Sequence, residues 1–184
     1  MPNRRRILVV DYDPTWPLTF AALRAPISEV LRDIASNVEH VGSTSVPGLA
    51  AKPIVDIDAV VPSRAEIPAT IAKLASLGYV HRGDLGIPER EAFDSPAHLP
   101  THHLYVCVQG SAALANHLTV RDHLRRNPNA AKAYGQLKKQ LADQFPTDME
   151  SYGAAKTAFL LEVLKKEGFS DAELRAIRDA NLKK

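Results

Sequence analysis

The chain has 184 residues, a formal net charge of +2, and apolar and charged fractions of 45% and 24%, which fit one soluble domain, residues 1–184, with a sizeable core. So small a net charge makes nucleic acid an unlikely partner, and no apolar run approaches the ~20 residues of a membrane span. The single cysteine, Cys107, excludes an internal disulfide framework. It suits a reducing compartment, so a cytoplasmic location is expected.

The first long element is a helix that is predicted to begin near Asp13. This residue suits the N-cap, and Pro14 suits the first helical position. Apolar residues then recur with the helical period from Trp16 to Ile34 and keep their phase through Pro26. We therefore predict one kinked helix, with Trp16 in the core.

A short strand, residues 38–41, is predicted to end in the hydroxyl-rich turn Gly42-Ser43-Thr44-Ser45. Glycine allows the backbone to approach a ligand closely, and N–H and O–H groups in such a turn can donate to phosphate oxygens. Gly42, Ser43 and Thr44 are therefore candidate phosphate-binding residues. Taken alone, a Gly-Ser pair is more often an ordinary turn.

The next strand is predicted from Ile54 to Val61, a β-branched run between two prolines. Asp56 and Asp58 point to the same face of this strand. Adjacent carboxylates repel each other, and a divalent cation such as Mg²⁺ or Mn²⁺ would remove that cost. Both residues are therefore candidate metal ligands and catalytic groups. The alternative is a solvent-facing pair on a half-exposed strand.

A phosphate-binding turn ahead of two metal-binding acids suits the transfer or cleavage of a phosphoryl-type group.

Beyond the acids, a helix is predicted to begin near Ile67 and to end at Gly78, followed by a strand over residues 79–82. Residues 81–100 are polar and irregular. They are either a substrate loop or a hairpin with charged tips.

Residues 101–108 are predicted to form a strand on which His103 and Tyr105 share one face. A neutral imidazole can bind a metal or accept a proton, so His103 is a candidate catalytic residue. The alternative is a structural histidine.

Helices are predicted over residues 111–126 and from an N-cap at Asn127. Two more are predicted to follow capping boxes, the first formed by Thr147 with Glu150 and the second by Ser170 with Glu173.

In the helix over residues 111–126, Arg121 lies near the inward stripe. Asp122, about 100° further round, is expected to point away from it and to pair one turn on. Arg121 is left with two roles, in local pairing or in contact with an anionic substrate.

Lys156 lies on the apolar stripe of the helix after Thr147, between Tyr152 and Leu160. Its side chain either extends to the surface or reaches a buried anion such as a phosphate. The second role makes Lys156 a candidate ligand contact.

The stretch EHVGSTSVPGLAAKPIVDI resembles the signature of the GrpB family, which is similar to the nucleotidyltransferase superfamily. The superfamily pattern of a hydrophobic residue, Gly-Ser, a spacer and Asp-x-Asp maps onto Val41-Gly42-Ser43, Asp56 and Asp58. The resemblance spans nearly the whole chain. Its other motifs are Asp13-Pro14-x-Trp16, His102-His103-Leu104-Tyr105-Val106, Arg121-Asp122-x-Leu124-Arg125, Leu137-Lys138, and Tyr152 with Lys156.

Two departures from the family and superfamily patterns concern the expected site. The family often has Gly-Ile-Pro-Gly-Arg in the irregular segment; here Glu89 replaces the second glycine, while Arg90 matches and is expected to bind an anionic group. The superfamily's third acid is absent from the strand over residues 101–108, where His103 or Tyr105 takes its place.

The order of the elements and the resemblance together imply an α+β fold, a nucleotidyltransferase-like mixed sheet flanked by helices with a helical C-terminal part. They also imply a metal-dependent nucleotidyltransferase-like enzyme that acts with Mg²⁺ or Mn²⁺ on a nucleoside triphosphate and an unknown small-molecule acceptor. The alternatives are a binding module without transfer activity and a phosphohydrolase. The expected anion contacts are Lys52, Arg90, Arg121 and Lys156, although Lys52 is otherwise a solvated loop lysine.

Overall fold

The computed structural model describes residues 6–182. The elements, in chain order, are α1 Trp16–Val30, β1 Asn37–Val41, β2 Val55–Val61, α2 Ile67–Ala75, β3 Val80–His81, β4 Arg90–Asp94, β5 His102–Val108, α3 Ala112–Arg126, α4 Pro128–Gln144, α5 Met149–Lys166 and α6 Asp171–Leu182. Short 3₁₀ turns cover Ser43–Ser45 and Arg64–Glu66.

The strands form one mixed sheet in the order β1-β2-β5-β4-β3. Strands β2 and β5 are parallel at its centre, and the other pairs are antiparallel. The register of the parallel pair places Asp56 opposite His103 and Asp58 opposite Tyr105. This arrangement confirms the predicted α+β fold with a mixed sheet and brings the candidate catalytic residues of the two strands together.

One face of the central strands forms the core with α1 and α2, because every second residue of β2 and β5 points that way. The buried side chains of this cluster include Leu23, Ile27, Leu31, Val55, Ile57, Ala59, Val61, Leu74, Leu104 and Val106. The opposite face of the same strands carries Asp56 and Asp58. The alternation that buries one face therefore positions both acids on the other.

The first helix confirms the predicted single element but begins later than expected. Pro26 lies inside an uninterrupted helix, and Trp16 is 5% exposed. Asp13 is not the N-cap; its Oδ1 accepts hydrogen bonds from the backbone N–H and the hydroxyl of Thr15, at 2.8 and 2.7 Å. These bonds form a turn ahead of the helix.

The irregular segment agrees with the hairpin alternative, because β3 and β4 pair antiparallel. Strand β4 pairs antiparallel with β5, and Arg90 lies opposite Cys107. Its polar sequence, REAFD, lacks the β-branched residues typical of strands. Pairing with β5 supplies the stability that local preference does not.

Near the C-terminal end, one capping prediction is wrong and another is confirmed. The N-cap of α5 is Asp148 and not Thr147. The Asp148 side chain accepts a hydrogen bond from the Ser151 N–H at 3.0 Å. Ser170 and Glu173 exchange the expected bonds at the start of α6. Within residues 6–182, we find no helix with the length and hydropathy needed to cross a membrane.

The buried centre of β5 gives a direct test of this packing. Leu104 is fully buried, so Leu104→Ala should lower the free energy of unfolding by about 2–5 kcal/mol. Leu18 on α1 is 70% exposed, and Leu18→Ala should change it by less than about 0.5 kcal/mol. Urea unfolding of both variants measures the difference, and equal effects would contradict the assigned core.

Candidate functional site

A cavity of about 630 Å³ lies over the acid-bearing face of β2 and β5 and is walled by residues of α3, α4 and α5. Most of the residues predicted from the sequence line it. They are Gly42, Ser43, Lys52, Asp56, Arg90, His103, Arg121 and Lys156. Asp58 and Thr44 do not line it; they are buried behind its wall, 0% and 1% exposed.

Gly42 brings the turn after β1 into close contact with Asp56. Its backbone has a φ of +69°, which disfavours residues other than glycine, and a Cβ at this position would clash with Asp56 Oδ2. The turn is held by the Ser45 hydroxyl, which donates to the Gly42 carbonyl at 2.6 Å. From α3, Arg125 donates two hydrogen bonds to the Ser45 carbonyl, at 2.8 and 3.0 Å. The turn and the acid therefore form one preorganised unit.

Thr44 stabilises this turn from behind. Its hydroxyl lies 3.0 Å from His40 Nε2, and the His40 ring stacks on Phe20. Burial lowers the pKa of His40 to about 4, helped by the charge of Arg125, so the imidazole is neutral at pH 7. The structure thus places Thr44 in the support of the turn and away from the cavity.

Each candidate metal-binding aspartate is paired with a histidine. Asp56 Oδ1 lies 2.8 Å from His103 Nδ1, and Asp58 Oδ2 lies 2.7 Å from His117 Nδ1. Burial raises the pKa of Asp56, but the hydrogen bond from His103 and the charges of His103, His117 and Lys156 lower it overall. The Asp56 carboxyl is therefore ionised at neutral pH.

The second carboxylate is the more unusual of the two. Asp58 has no exposed surface, and within residues 6–182 its Oδ1 has no hydrogen-bond partner. An unpaired oxygen on a buried carboxylate is costly, so this atom is suited to binding a cation or a hydrogen-bond donor that arrives with a ligand.

His117 was not among the residues predicted from the sequence. It lies on α3 and lines the cavity. Its position one turn ahead of Arg121 places both residues on the same face of the helix, which is the signal that could have identified it.

Asp58, Cys107 and His117 each bring one atom of metal-ligand type within 4.8 Å of the others. Burial, reinforced by the charge of Asp58, raises the pKa of the Cys107 thiol. The thiolate that a soft metal requires is therefore disfavoured, and oxygen ligands remain the stronger feature of the site.

A second residue to which the sequence assigned no role is Lys138 on α4, although Leu137-Lys138 is one of the family motifs. Its Nζ donates to the Ser43 hydroxyl at 2.7 Å and lies 4.5 Å from the centre of the Tyr134 ring. The side chain is 3% exposed. Like Lys156, it interrupts an apolar helical stripe, and the same reasoning would have found it.

Lys138 belongs to a cluster of three lysines that line the cavity together with Lys52 and Lys156. Burial lowers the pKa of Lys138 to about 7, and the charges of Lys156 and Lys52 contribute. Lys52 is half-buried, and its pKa is also lowered by burial, so it is not the solvated loop residue that the alternative described. The Nζ atoms of Lys52 and Lys156 lie 5.9 and 5.5 Å from the centre of the Tyr152 ring.

Arg121 lines the cavity, but protein groups already occupy its donors. Its Nη1 lies 2.6 Å from Glu39 Oε2 and its Nε 2.7 Å from Asp122 Oδ1. The expectation that Asp122 points away from Arg121 is therefore wrong, because the two side chains bend towards each other. The structure supports the local role of Arg121, a link between α3 and β1.

Arg90 differs from Arg121 because two of its three guanidinium nitrogens are buried without a hydrogen-bond partner among residues 6–182. It is 2% exposed, lines the cavity and places its guanidinium carbon 4.5 Å from the centre of the Tyr105 ring. Its Nε and Nη2 have no hydrogen-bond partner within the described part of the chain. The preceding Glu89, where the family often has glycine, has a φ of +63°, a conformation that L-residues seldom adopt.

The environment of Lys138 predicts a pH dependence of stability. An ordinary lysine titrates near 10.5 and folded Lys138 near 7, so the unfolded chain binds more protons between these values. The contribution of Lys138 to stability must then rise with pH across that window. We expect the free energy of unfolding of the parent to gain up to ~1.4 kcal/mol per pH unit between pH 7 and 9 relative to Lys138→Met.

The matched control is Lys132→Met, an exposed position on the same helix, which should follow the parent. Urea unfolding at pH 7, 8 and 9 measures all three proteins. A parallel pH dependence in the parent and Lys138→Met would contradict the burial of a neutralised lysine.

Comparison with known proteins identifies relatives of this chain. It is 34% identical over 157 residues to the UPF0157 protein YqkA of Bacillus subtilis, a match that covers 85% of this chain and 46% of YqkA, so the chain spans about half the length of that relative. The crystal structure of the conserved protein GrpB from Enterococcus faecalis is similar with a TM-score of 0.77 and 33% identity, covering 87% of this chain and 99% of that chain.

A looser likeness is to terminal uridylyl transferase 4 from Trypanosoma brucei with bound UTP, with a TM-score of 0.48 and 14% identity over 90% of this chain and 64% of that one. A likeness at that level is too weak to support a conclusion about function. The family model described as GrpB protein matches residues 6–166. The chain therefore belongs to the GrpB family.

Proposed function

We propose that this protein is a metal-dependent nucleotidyltransferase-like enzyme that binds a nucleoside triphosphate in the cavity. The observation that carries the proposal is the contact between Lys138 Nζ and Ser43 Oγ, in the turn where Gly42 meets the Asp56 carboxylate. A buried cation on a small hydroxyl-bearing turn is a natural phosphate site. Here it adjoins two acids.

The lysine cluster supports a ligand with several negative charges. The charges of Lys156 and Lys52 add to burial in lowering the pKa of Lys138. A polyphosphate would relieve this repulsion and would accept charge-assisted hydrogen bonds from the three ammonium groups. We assign these lysines, with Gly42 and Ser43, to the phosphates.

Asp56 and Asp58 fit a hard divalent cation. Each carboxylate pairs with a histidine through one oxygen, and Asp58 Oδ1 has no other partner within residues 6–182. Oxygen donors on one strand face suit Mg²⁺ or Mn²⁺. When bound there, the ion would stabilise negative charge on the transferred phosphoryl group.

The two histidines are the candidate proton acceptors. Each is held through Nδ1 by a carboxylate, which fixes the ring and leaves Nε2 to take a proton from an acceptor hydroxyl. His103 is on β5, the strand on which the superfamily has its third acid. His117 is less exposed, at 24% against 46% for its counterpart, and is thus better shielded from water.

A second candidate function is a nucleotide-binding module without transfer activity. It is favoured by the absence of the superfamily's third acid from β5, where His103 and Tyr105 lie beside Asp56 and Asp58. Labelled nucleoside triphosphate incubated with a panel of acceptors discriminates between the two. Transfer supports the enzyme, binding without turnover supports the module, and phosphate release without an acceptor indicates a phosphohydrolase.

We predict that Asp56→Asn and Asp58→Asn lose the binding of Mg²⁺ or Mn²⁺. Each change removes a negative charge and one anionic oxygen from the proposed ligand pair. Isothermal titration calorimetry in the presence of a non-hydrolysable nucleotide measures the loss. Asp33→Asn, at an exposed aspartate, is the control, and metal binding by both variants at parental affinity would refute the site.

Lys156→Met tests the contact with phosphate while keeping the length of the side chain. Loss of a charge-assisted hydrogen bond, worth about 1.5–3 kcal/mol, should reduce nucleotide affinity roughly tenfold to a hundredfold. Exposed Lys165 on the same helix provides the control, Lys165→Met. Unchanged affinity would exclude the ligand contact, and a marked loss of apo stability would show that Lys156 serves a protein partner instead.

A further inference from the structure

We infer that the cavity contains a second anion-binding subsite, built on Arg90, that takes an oxyanion group of the acceptor, a carboxylate or a phosphate. The subsite is separate from the lysine cluster that we assign to the nucleotide. Its assignment to an acceptor rests on the proposed function, whereas the binding of an oxyanion at Arg90 does not.

The Arg90 guanidinium lacks hydrogen-bond partners on one edge within residues 6–182. Arg90 is 2% exposed, and its Nε and Nη2 have no partner within residues 6–182. No carboxylate in that part of the chain forms an ion pair with it, and the nearby Asp58 pairs with His117 instead. A buried cation without an anion is strongly unfavourable, so the missing partner is best explained by a ligand.

The unsatisfied edge of the guanidinium has the shape of a two-pronged hydrogen-bond donor. Nε and Nη2 lie on one edge of the planar guanidinium, where they can donate two parallel hydrogen bonds. That pair matches the two oxygens of a carboxylate or of a phosphate. The plane is held over the Tyr105 ring at 4.5 Å, so the group is oriented before any ligand arrives.

Arg90 and the phosphate-binding turn lie at different places in the sheet. The Gly42-Ser43 turn follows β1, whereas Arg90 begins β4. The turn reaches Asp56 on β2, and the Arg90 guanidinium lies over Tyr105 on β5, which is opposite Asp58. The two sites are therefore at the two ends of the acid pair, roughly 8 Å apart at the usual strand dimensions.

The chemistry of transfer gives this separation a meaning. In phosphoryl-type transfer the attacking and leaving oxygens lie roughly in line on opposite sides of the phosphorus. With the leaving polyphosphate at the lysine cluster, the attacking group approaches from the side of Arg90. An acceptor with an acidic group would be anchored there with its nucleophile directed at the acids.

The backbone supports a functional position for this residue. Glu89 adopts a left-handed conformation, and its carbonyl accepts a hydrogen bond from the Val108 N–H at 3.0 Å. Strained residues of this kind cluster at ligand sites. Arg90 Nε and Nη2 are both closed off from solvent. Side chains of the cavity wall must therefore move when the oxyanion binds.

The test titrates two probes, inorganic phosphate and succinate, into protein saturated with Mg²⁺ and a non-hydrolysable nucleoside triphosphate, so that the lysine cluster is filled. We expect calorimetry to detect one or both probes, and the preference between them identifies the acidic group of the acceptor. Arg90→Met and Arg90→Lys should each weaken probe binding at least tenfold, since neither keeps the two-pronged donor edge. Exposed Arg82→Met should bind as the parent does.

Stability provides a second readout. Removal of an unpaired buried charge should leave the apo melting temperature of Arg90→Met unchanged or higher. A marked loss of apo stability in Arg90→Met would mean that the charge serves the fold, and would overturn the subsite.

The remaining outcomes separate this inference from the proposed function. Absence of binding by both probes to the parent overturns the subsite even where nucleotide binds. If Arg90→Met loses as much affinity for the nucleotide as for the probes, Arg90 contacts the nucleotide and the separate subsite is overturned. If the parent fails to bind nucleotide, the proposed function fails, and the same titrations without nucleotide in Lys138→Met still measure the oxyanion site.

Discussion

The parallel pairing of β2 with β5 is the constraint on which the rest of the site depends. Its register sets Asp56 beside His103 and Asp58 beside Tyr105, and its alternating side chains bury one face against α1 and α2. A shift of one residue in β2 would send both acids into the core and turn Ile57 into the cavity. The burial of the apolar face therefore holds the candidate catalytic groups in place.

Around this centre the protein buries more charge than its fold requires. Asp58, Arg90 and Lys138 are each at most 3% exposed, and they lie within or directly behind the wall of a single cavity. Charges in such positions reduce stability unless they are paired, and both Arg90 and Asp58 retain atoms without partners in residues 6–182. Their concentration at one place is understandable if ligands complete the pairing.

The sequence predicted the elements with strong periodicity and the acids of the central strand, because alternation and helical stripes depend on local pattern. It left the hairpin of β3 and β4 as one of two alternatives, because the polar residues of β4 adopt a strand only through pairing with their neighbours. It also missed His117 and Lys138, whose importance depends on contacts with Asp58 and Ser43 that lie 59 and 95 residues away in the chain. Conversely, Arg121 fitted a ligand contact by sequence, but Glu39, far away in the chain, occupies its guanidinium.

A crystal structure determined with a non-hydrolysable nucleoside triphosphate and Mg²⁺ would test the proposed phosphate and metal sites most directly. We predict polyphosphate oxygens on the Gly42-Ser43 turn within hydrogen-bond distance of Lys138 Nζ, and the ion between the phosphates and the carboxylates of Asp56 and Asp58. Nucleotide bound elsewhere, or an ion without contact to either aspartate, would contradict this prediction.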